Sequence, residues 1–519
     1  MRKASVTAAV AVAVVVLFLL YWRQAASAGV SSDAASIVLQ GSDMLHGNVL
    51  LHGWRTADVS FYGTELVQYM LLQAVLPMSP GLVFVAGAMT YTLLVVLAGW
   101  LARGAATGRE GLLRAGLAAG IMLAPALGDM TASQLHAPDH LGSAVPVLLA
   151  WLVIERFPAR WYVPVLTCLL LAWGTVADPL IEITGAAAIV IACGARSGRR
   201  LLRREPVTWF EPSLVVAAAA SAGVAQLALM AIRAAGGFTA SPVDTGFMGL
   251  PGLWQHAAVT GKGLLALFGA AFWTEHPERV PAWQVLFSGM HLIGVALAVA
   301  GFALALRRFF RADSLLAAGL STAIAGNAAA FMTSRYATDL LSVREAAAVL
   351  PFAAVLAGRL VPGHLLQTRR IVPVLAAVGL VYAGMLGVNA AAARPAAPSY
   401  QNVASWLSRH HLTNGLAAGY WLSNIVTVDS GGRVKVADVA VTDGTVRPPD
   451  GWETDTRWYD PTASDANFLL TDAGSGSGEW RTQLRAASRA FGAPAETYRF
   501  AGFTVFTWPR DVLPGLGPR

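Results

Sequence analysis

Long apolar runs recur along this chain, and arginines gather in every second interval between them. That alternation constrains the fold more than any other feature. A membrane-crossing helix needs about 20 apolar residues, fewer where interfacial anchors flank it. Runs of this kind lie near 5–22, 81–102, 111–128, 142–157, 160–176, 179–195, 211–234, 283–306, 314–332, 346–361 and 371–391, which predicts about eleven spans. Composition agrees: 55% of residues are hydrophobic and 13% are charged, against about 25% charged in a soluble domain. The expected fold class is mostly α: a polytopic helical membrane domain followed by a small extracytoplasmic α/β domain.

The basic residues give the direction. Arg2 and Lys3 precede the first run; Arg103, Arg109 and Arg114 lie between the second and third. Arg156 and Arg160 separate the fourth from the fifth, and five arginines between Arg196 and Arg204 follow the sixth. Arg307, Arg308 and Arg311 follow the eighth, and Arg369 and Arg370 the tenth. Cytoplasmic loops carry this excess, so the N-terminus is expected in the cytoplasm and the C-terminal segment outside a cell membrane. The net charge of +7 is accounted for by these orientation signals and predicts no nucleic-acid partner. Ala26-Ser27-Ala28 has the form of a signal-peptidase site. The long first run ends in Tyr21-Trp22-Arg23, however, and reads as an anchor. Cys168 and Cys193 fall inside apolar runs, so neither a disulfide framework nor a thiolate metal site is expected.

Acid and imidazole collect in the intervals expected outside. The first, 23–80, contains "SSDAASIVLQGSDMLHGNVLLHGW" with Asp33, Asp43, His46 and His52, then Asp58 and Glu65. The second, "GDMTASQLHAPDHLGS", has Asp129, His136, Asp139 and His140. Asp178 and Glu182 form a third group in "GTVADPLIEIT", which is either a kink or a turn. The interval 235–282 carries Asp244, His256, Lys262, Glu275, His276 and Glu278, and "TSRYATDLLSVRE" carries Arg335, Tyr336, Asp339, Arg344 and Glu345. Ionisable groups at membrane depth are costly and usually mark a site. Acids beside a few arginines suit a cavity handling a hydroxyl and a phosphate. In the first interval, Ile37, Leu39, Met44 and Leu45 fall at helical spacing and Gly47-Asn48 can end that helix. "TELVQYMLLQAVLPM" is a second amphipathic stretch ending at Pro77. Both read as interfacial helices.

This pattern resembles the GT-C glycosyltransferases: one span, an acid opening a long outer loop of interfacial helices, many further spans, an outer C-terminal domain. It is similar to the protein O-mannosyltransferase and aminoarabinose transferase types. Asp33 in "SSDAASIVLQGSDMLHGN" stands where those enzymes carry their acid, and "SVREAAAVLPFAAVLAGR" places Arg344 in their outer arginine motif. The resemblance implies a polyprenyl-phosphate sugar donor. A loop-one acid deprotonates an acceptor hydroxyl, which attacks the anomeric carbon with inversion, and polyprenyl phosphate leaves. The acceptor would be a glycan, lipid or protein of the cell envelope, and the sugar a hexose or a pentose. Many members have an acidic pair at the first site; here Ala34 follows Asp33, which weakens the case for a metal there. No cofactor is certain, and a divalent metal stays open.

The residues alone support the same chemistry less sharply. A carboxylate is a suitable base for a hydroxyl attacking an oxocarbenium-like centre, and a forked guanidinium suits a leaving phosphate; Arg344 and Arg335 are placed for it. Each residue also has a plainer reading. Asp33 sits where a helix cap belongs. Asp43 and Asn48 suit a turn. Asp58 suits acceptor binding or a divalent ion. His136, Asp139 and His140 form an H-x-x-D-H cluster, a metal set or a hydrogen-bonded loop. Asp178 before Pro179 suits a turn. Arg335 and Tyr336 suit headgroup contact or phosphate, and Lys262 contact with a lipid phosphate.

From about Pro395 the apolar runs stop, dividing the chain into 1–394, with its large first outer loop 23–80, and 395–519. Strand-like runs "NIVTV", "RVKVADVAV", "ANFLLT", "ETYRFAG" and "FTVFTW" alternate with helical pieces near 400–411 and 479–491. Trp421, Trp452, Trp458 and Tyr459 are aromatics of the kind that stack on sugar rings, though such residues more commonly fill a buried core, and the region reads as an acceptor-binding or structural cap. The alternative to an enzyme is a lipid or polysaccharide transporter or an assembly scaffold. A transporter calls for internal repeats and polar groups at mid-membrane; the polar groups here lie between the runs.

Overall fold

The computed structural model of the chain describes residues 2–128, 130–242, 246–249, 252–273, 282–311, 314–361, 371–396, 400–442, 444–449, 451–472, 479–500 and 502–517. Its helices in chain order begin with α1 (Arg2–Ala25), α2 (Ser32–Leu45), α3 (Glu65–Gln73), α4 (Gly81–Arg103) and α5 (Gly108–Met122). Next come α6 (Met130–Leu135), α7 (Ala144–Arg156), α8 (Tyr162–Ala177), α9 (Ala188–Leu202) and α10 (Phe210–Ala234). They continue with α11 (Leu253–Leu267), α12 (Ala282–Met290), α13 (Leu292–Arg311), α14 (Leu315–Thr333), α15 (Val349–Leu360) and α16 (Ile371–Ala392). The last are α17 (Gln401–Arg409), α18 (Tyr420–Asp429) and α19 (Glu479–Phe491). Strands are β1 (Trp54–Thr56), β2 (Thr239–Ala240), β3 (Asn414–Ala418), β4 (Lys435–Thr442), β5 (Thr445–Arg447), β6 (Thr454–Asp455), β7 (Phe468–Asp472), β8 (Glu496–Phe500) and β9 (Phe503–Thr507).

Each of the eleven predicted spans overlaps helix, but 111–128 is helical only to Met122 and 179–195 opens on a turn, and neither qualifies as a crossing by length and composition. Among the described residues seven helical segments are long and apolar enough to cross a membrane, and Tyr162–Ala177 and Val349–Leu360 are shorter apolar helices. The structure divides into two compact units. One comprises Met1–Ala28, Gly87–Leu229 and Asp244–Arg394; the other comprises Gly29–Ala86, Met230–Val243 and Pro395–Arg519.

In the first unit α15 is the centre. Nearly every residue from Val349 to Leu360 is buried, as expected of a helix apolar all round, and α5, α13 and α14 pack on it. Close approach needs small residues: a Cβ on Gly319 of α14 would fall 1.9 Å from the Trp151 ring of α7. Three ion pairs join helices through their arginines. Arg359 meets Glu155 at 2.5 Å, and buried Glu211 sits 3.4 Å from Arg196 and 3.6 Å from Arg200. At "GTVADPLIEIT" α8 ends at Ala177, a turn follows, and a π-helical stretch Glu182–Ala187 leads into α9. The segment is therefore a turn between two helices. Cys168 and Cys193 are free thiols.

The second unit gathers three separated pieces of chain. β1 pairs in parallel with β2 and antiparallel with β6, so the first loop, the 230–243 segment and the C-terminal region share one small sheet. A six-stranded sheet, ordered β5-β4-β3-β7-β9-β8, forms the C-terminal core. β3 runs parallel to β4 and β7, while β5, β8 and β9 pair antiparallel. Side chains alternate between its faces. Leu416, Leu469 and Phe506 pack under α19 with Ala486, Ala487 and Phe491; Ala417, Phe468, Leu470 and Val505 pack against Val403 and Leu407 of α17 and Leu422 and Val426 of α18.

One strand assignment is overturned. "NIVTV" lies inside α18, and the neighbouring strand is β3, "NGLAA". Parallel β3 and β4 need a crossover, and a helix supplies it; tertiary geometry overrides the β-branched propensity of the run. In the first loop α2 stops at Leu45 with Gly47 at φ +101, a left-handed turn that glycine takes without penalty.

Asp438 of β4 is buried beneath Tyr459, whose hydroxyl donates to its carbonyl at 2.7 Å and lies 3.0 Å from its carboxylate. Burial pushes this carboxyl up to about 6, the Tyr459 bond opposing. The folded state therefore binds its proton more tightly than the unfolded chain. Stability should fall as pH rises from about 4 to 6, by about 2–3 kcal/mol, and level off above. Thermal melts of the detergent-solubilised protein across this range should show the fall, and Asp438→Asn should flatten it; an unchanged profile in the variant would assign it elsewhere.

Candidate functional site

The candidate residues of the second unit centre on the first turn of α2. Its N-cap is Ser31, whose hydroxyl accepts the Ala34 N–H at 3.2 Å. Asp33 is therefore released from capping and stands in the first turn, where the helix dipole favours a carboxylate. It is half-buried. Its Oδ1 accepts from the Tyr420 hydroxyl at 2.7 Å, and that hydroxyl also meets Glu453. Neighbouring bonds fix the register: Ser32 Oγ donates to the Tyr420 carbonyl at 2.6 Å, and Ser36 Oγ to the Glu453 carbonyl at 3.4 Å. Burial first, then the Glu453 and Asp33 charges, raise the Tyr420 hydroxyl far above its ordinary range. It stays a neutral donor with one hydrogen. Two carboxylates face it, Asp33 and Glu453.

Asp43 does more than close its turn. Its Oδ2 accepts from Asn48 Nδ2 at 2.6 Å, from Trp54 Nε1 at 2.9 Å and from Arg457 Nη2 at 2.6 Å. Asp58 accepts the Val59 N–H at 3.1 Å. His52 Nδ1 lies 2.8 Å from the Gly236 carbonyl, and His46 Nδ1 lies 2.7 Å from the Ser42 carbonyl.

In the first unit the structure joins Asp139, His140 and Arg344. Asp139 caps the short 3-10 turn His140–Ser143, accepting the His140 N–H at 2.8 Å, and Arg344 is within its electrostatic reach. The His140 ring is bridged on both sides, Nδ1 to Asp178 at 2.9 Å and Nε2 to Glu345 at 3.0 Å. Asp178 also accepts from the Ser143 hydroxyl and, at 2.9 Å, from the Leu180 N–H. It thus forms its turn and anchors the histidine. His136 turns away, its Nε2 lying 2.9 Å from the Ala25 carbonyl. The H-x-x-D-H spacing does not become a ligand set, and among the described residues no group of three His, Cys, Asp or Glu side chains is arranged to hold a metal.

Arg335 and Tyr336 are exposed in the bend after α14, and Arg344 is exposed on the 3-10 turn Leu341–Ala346. α11 packs on that turn and carries Lys262 on an exposed position. Asp129, Asp244, Glu275, His276 and Glu278 lie outside the described residues.

No protein-family model matches the sequence, and no curated protein does. Solved structures similar to the chain include the oligosaccharyltransferase of Archaeoglobus fulgidus in complex with zinc and sulfate: 11% identity, TM-score 0.46, 90% of this chain and 66% of that one. The archaeal oligosaccharyltransferase AglB from Archaeoglobus fulgidus in complex with an inhibitory peptide and a dolichol-phosphate gives 10% identity and TM-score 0.45 over 93% and 71%. The arabinofuranosyltransferase AftD from Mycobacteria gives 14% identity and TM-score 0.31 over 96% and 39%. The chain thus spans about two thirds of the archaeal enzyme's length.

Tyr420 and Glu453 escaped the sequence reading. Tyr420 follows Gly419 at the carboxyl end of parallel strand β3, a position where open α/β sheets bind ligands, but that strand was itself not recognised. Glu453 carries no local signal. The bridged His140 gives a direct test. Removing it leaves two carboxylates facing each other, one almost fully buried, so His140→Ala should cost about 3–5 kcal/mol, seen as a lowered melting temperature. Adding Asp178→Asn and Glu345→Gln should recover part of the loss; a His140→Ala protein that melts like wild type would show the bridge contributes nothing.

Proposed function

We propose that this chain is a multi-pass membrane glycosyltransferase that moves a sugar from a polyprenyl-phosphate donor to a hydroxyl of a cell-envelope acceptor, with inversion. The observation that carries this reading is the Asp33 carboxylate, relieved of capping by Ser31 and set against Tyr420 and Glu453. It joins the resemblance of the first-loop motif to the GT-C enzymes.

In this reading Asp33 takes the acceptor hydroxyl's proton as its oxygen attacks the anomeric carbon. The bond from that carbon to the phosphate oxygen breaks, and polyprenyl phosphate departs with its electron pair. Tyr420 holds the carboxylate in place, and Glu453 shares the added proton. Arg344 is assigned to the leaving phosphate, with Asp139 orienting it; Arg335, Tyr336 and Lys262 are assigned to donor headgroup and lipid contact, and Asp58 to the acceptor. The bridge on His140 gives it and Asp178 a holding role beside Arg344. The N-terminus is placed in the cytoplasm, with loop 23–80 and the region 395–519 outside, following the arginine alternation.

Cells lacking the protein should accumulate one polyprenyl-phosphate monosaccharide. Wild type should clear it, and Asp33→Asn should reduce clearance by about 100-fold or more. Tyr420→Phe should cost about tenfold, keeping the ring and losing the bond to Asp33. Clearance by Asp33→Asn at the wild-type rate would remove Asp33 from the chemistry and move the transporter or scaffold reading ahead.

A further inference from the structure

The second unit contains an open cleft of about 440 Å³ that the chemistry at Asp33 does not use. Trp54, Trp458, Asp43, Asp455, Arg457 and Lys435 line it. This volume is within the range of small-molecule sites.

Its aromatic part is built to stay rigid. Trp54 is buried and held by its Nε1 donating to Asp43. Trp458 packs edge to face on it, with ring centroids 5.3 Å apart and planes at 75°. Trp458 is itself half-buried, so part of an immobilised indole borders the cleft. The polar part is equally fixed. Arg457 forks onto Asp455 through Nε at 2.9 Å and Nη2 at 2.6 Å, and the same Nη2 reaches Asp43 at 2.6 Å. Asp455 is fully buried and accepts the Arg457 backbone N–H at 2.9 Å. Lys435 is exposed at the start of β4.

The formal charges balance, two carboxylates against a guanidinium and an ammonium. A phosphate would meet Asp43, and a cation would compete with Arg457. An uncharged ligand rich in hydroxyls meets neither objection: its hydroxyls donate to carboxylate oxygens and accept from Arg457 and Lys435. Its C–H face lies against indole, a large rigid surface with little rotamer entropy to lose. We propose that this cleft binds a neutral saccharide, and that the saccharide is part of the acceptor. The first half rests on the cleft alone; the second rests on the glycosyl-transfer reading above.

Saturation-transfer NMR on the full-length protein in lipid nanodiscs free of sugar-headed detergent would test it, with mannobiose, arabinobiose and galactobiose as probes and sorbitol as the acyclic control. At least one disaccharide should bind saturably, in about the millimolar range, and sorbitol should not. Trp458→Ala should weaken that binding about tenfold, and the exposed change Lys435→Ala about threefold. Arg409→Ala, an exposed change outside the cleft, should bind as wild type. Melting curves identify a variant that fails to fold, in which case Lys435→Ala decides. Absence of binding by all three disaccharides, or wild-type binding by both cleft variants, would overturn the proposal. Retained cleft-dependent binding together with wild-type clearance by Asp33→Asn would leave the saccharide site standing and remove only its role as acceptor subsite.

Discussion

Three residues of backbone, Trp54–Thr56, hold the second unit together. They pair on one side with Thr239–Ala240 and on the other with Thr454–Asp455. Each ladder is short, yet it satisfies backbone groups that would otherwise be buried without partners. It also fixes which residue of the first loop meets which residue of the C-terminal region. From that register follow the Asp43–Arg457 pair, the indole pair Trp54–Trp458 and the packing of α2 on α18. The Asp33–Tyr420–Glu453 trio lies at the other end of the same α2 contact.

Both units use charged groups where an apolar core would be simpler. In the first, His140 between Asp178 and Glu345 ties three separate intervals of the chain. Such a bridge adds little net stability over an apolar replacement, but breaking one partner is expensive, so it selects one arrangement of these loops. In the second, Arg457 does the same for Asp43 and Asp455. Beside these fixed pairs stand the exposed Arg344 in one case and the half-buried Trp458 in the other.

Much of the architecture was legible in the residues. Span positions follow from apolar length, because a helix is the form that satisfies its own backbone in lipid. The helical piece expected near 479–491 is α19, and β4, β7, β8 and β9 fall on the strand-like runs. The failure at "NIVTV" came from judging a crossover helix by its β-branched residues. The H-x-x-D-H spacing left a metal set and a hydrogen-bonded loop both open, and the fold decides for hydrogen bonds: it sends His136 to Ala25 and His140 to Asp178 and Glu345.

The sequence by itself determined that this is a helical membrane protein with a strand-containing C-terminal region, and it singled out Asp33. Periodicity and composition are local quantities, and local quantities suffice for those conclusions. Only the tertiary structure decided what Asp33 touches, that Ser31 relieves it of capping, and that Asp43 serves a cleft as well as a turn. Those facts depend on hydrogen bonds between residues hundreds of positions apart, Tyr420 to Asp33 and Arg457 to Asp43. No local pattern encodes such a bond, because the partner's identity is set by how strands and helices pair across the whole chain.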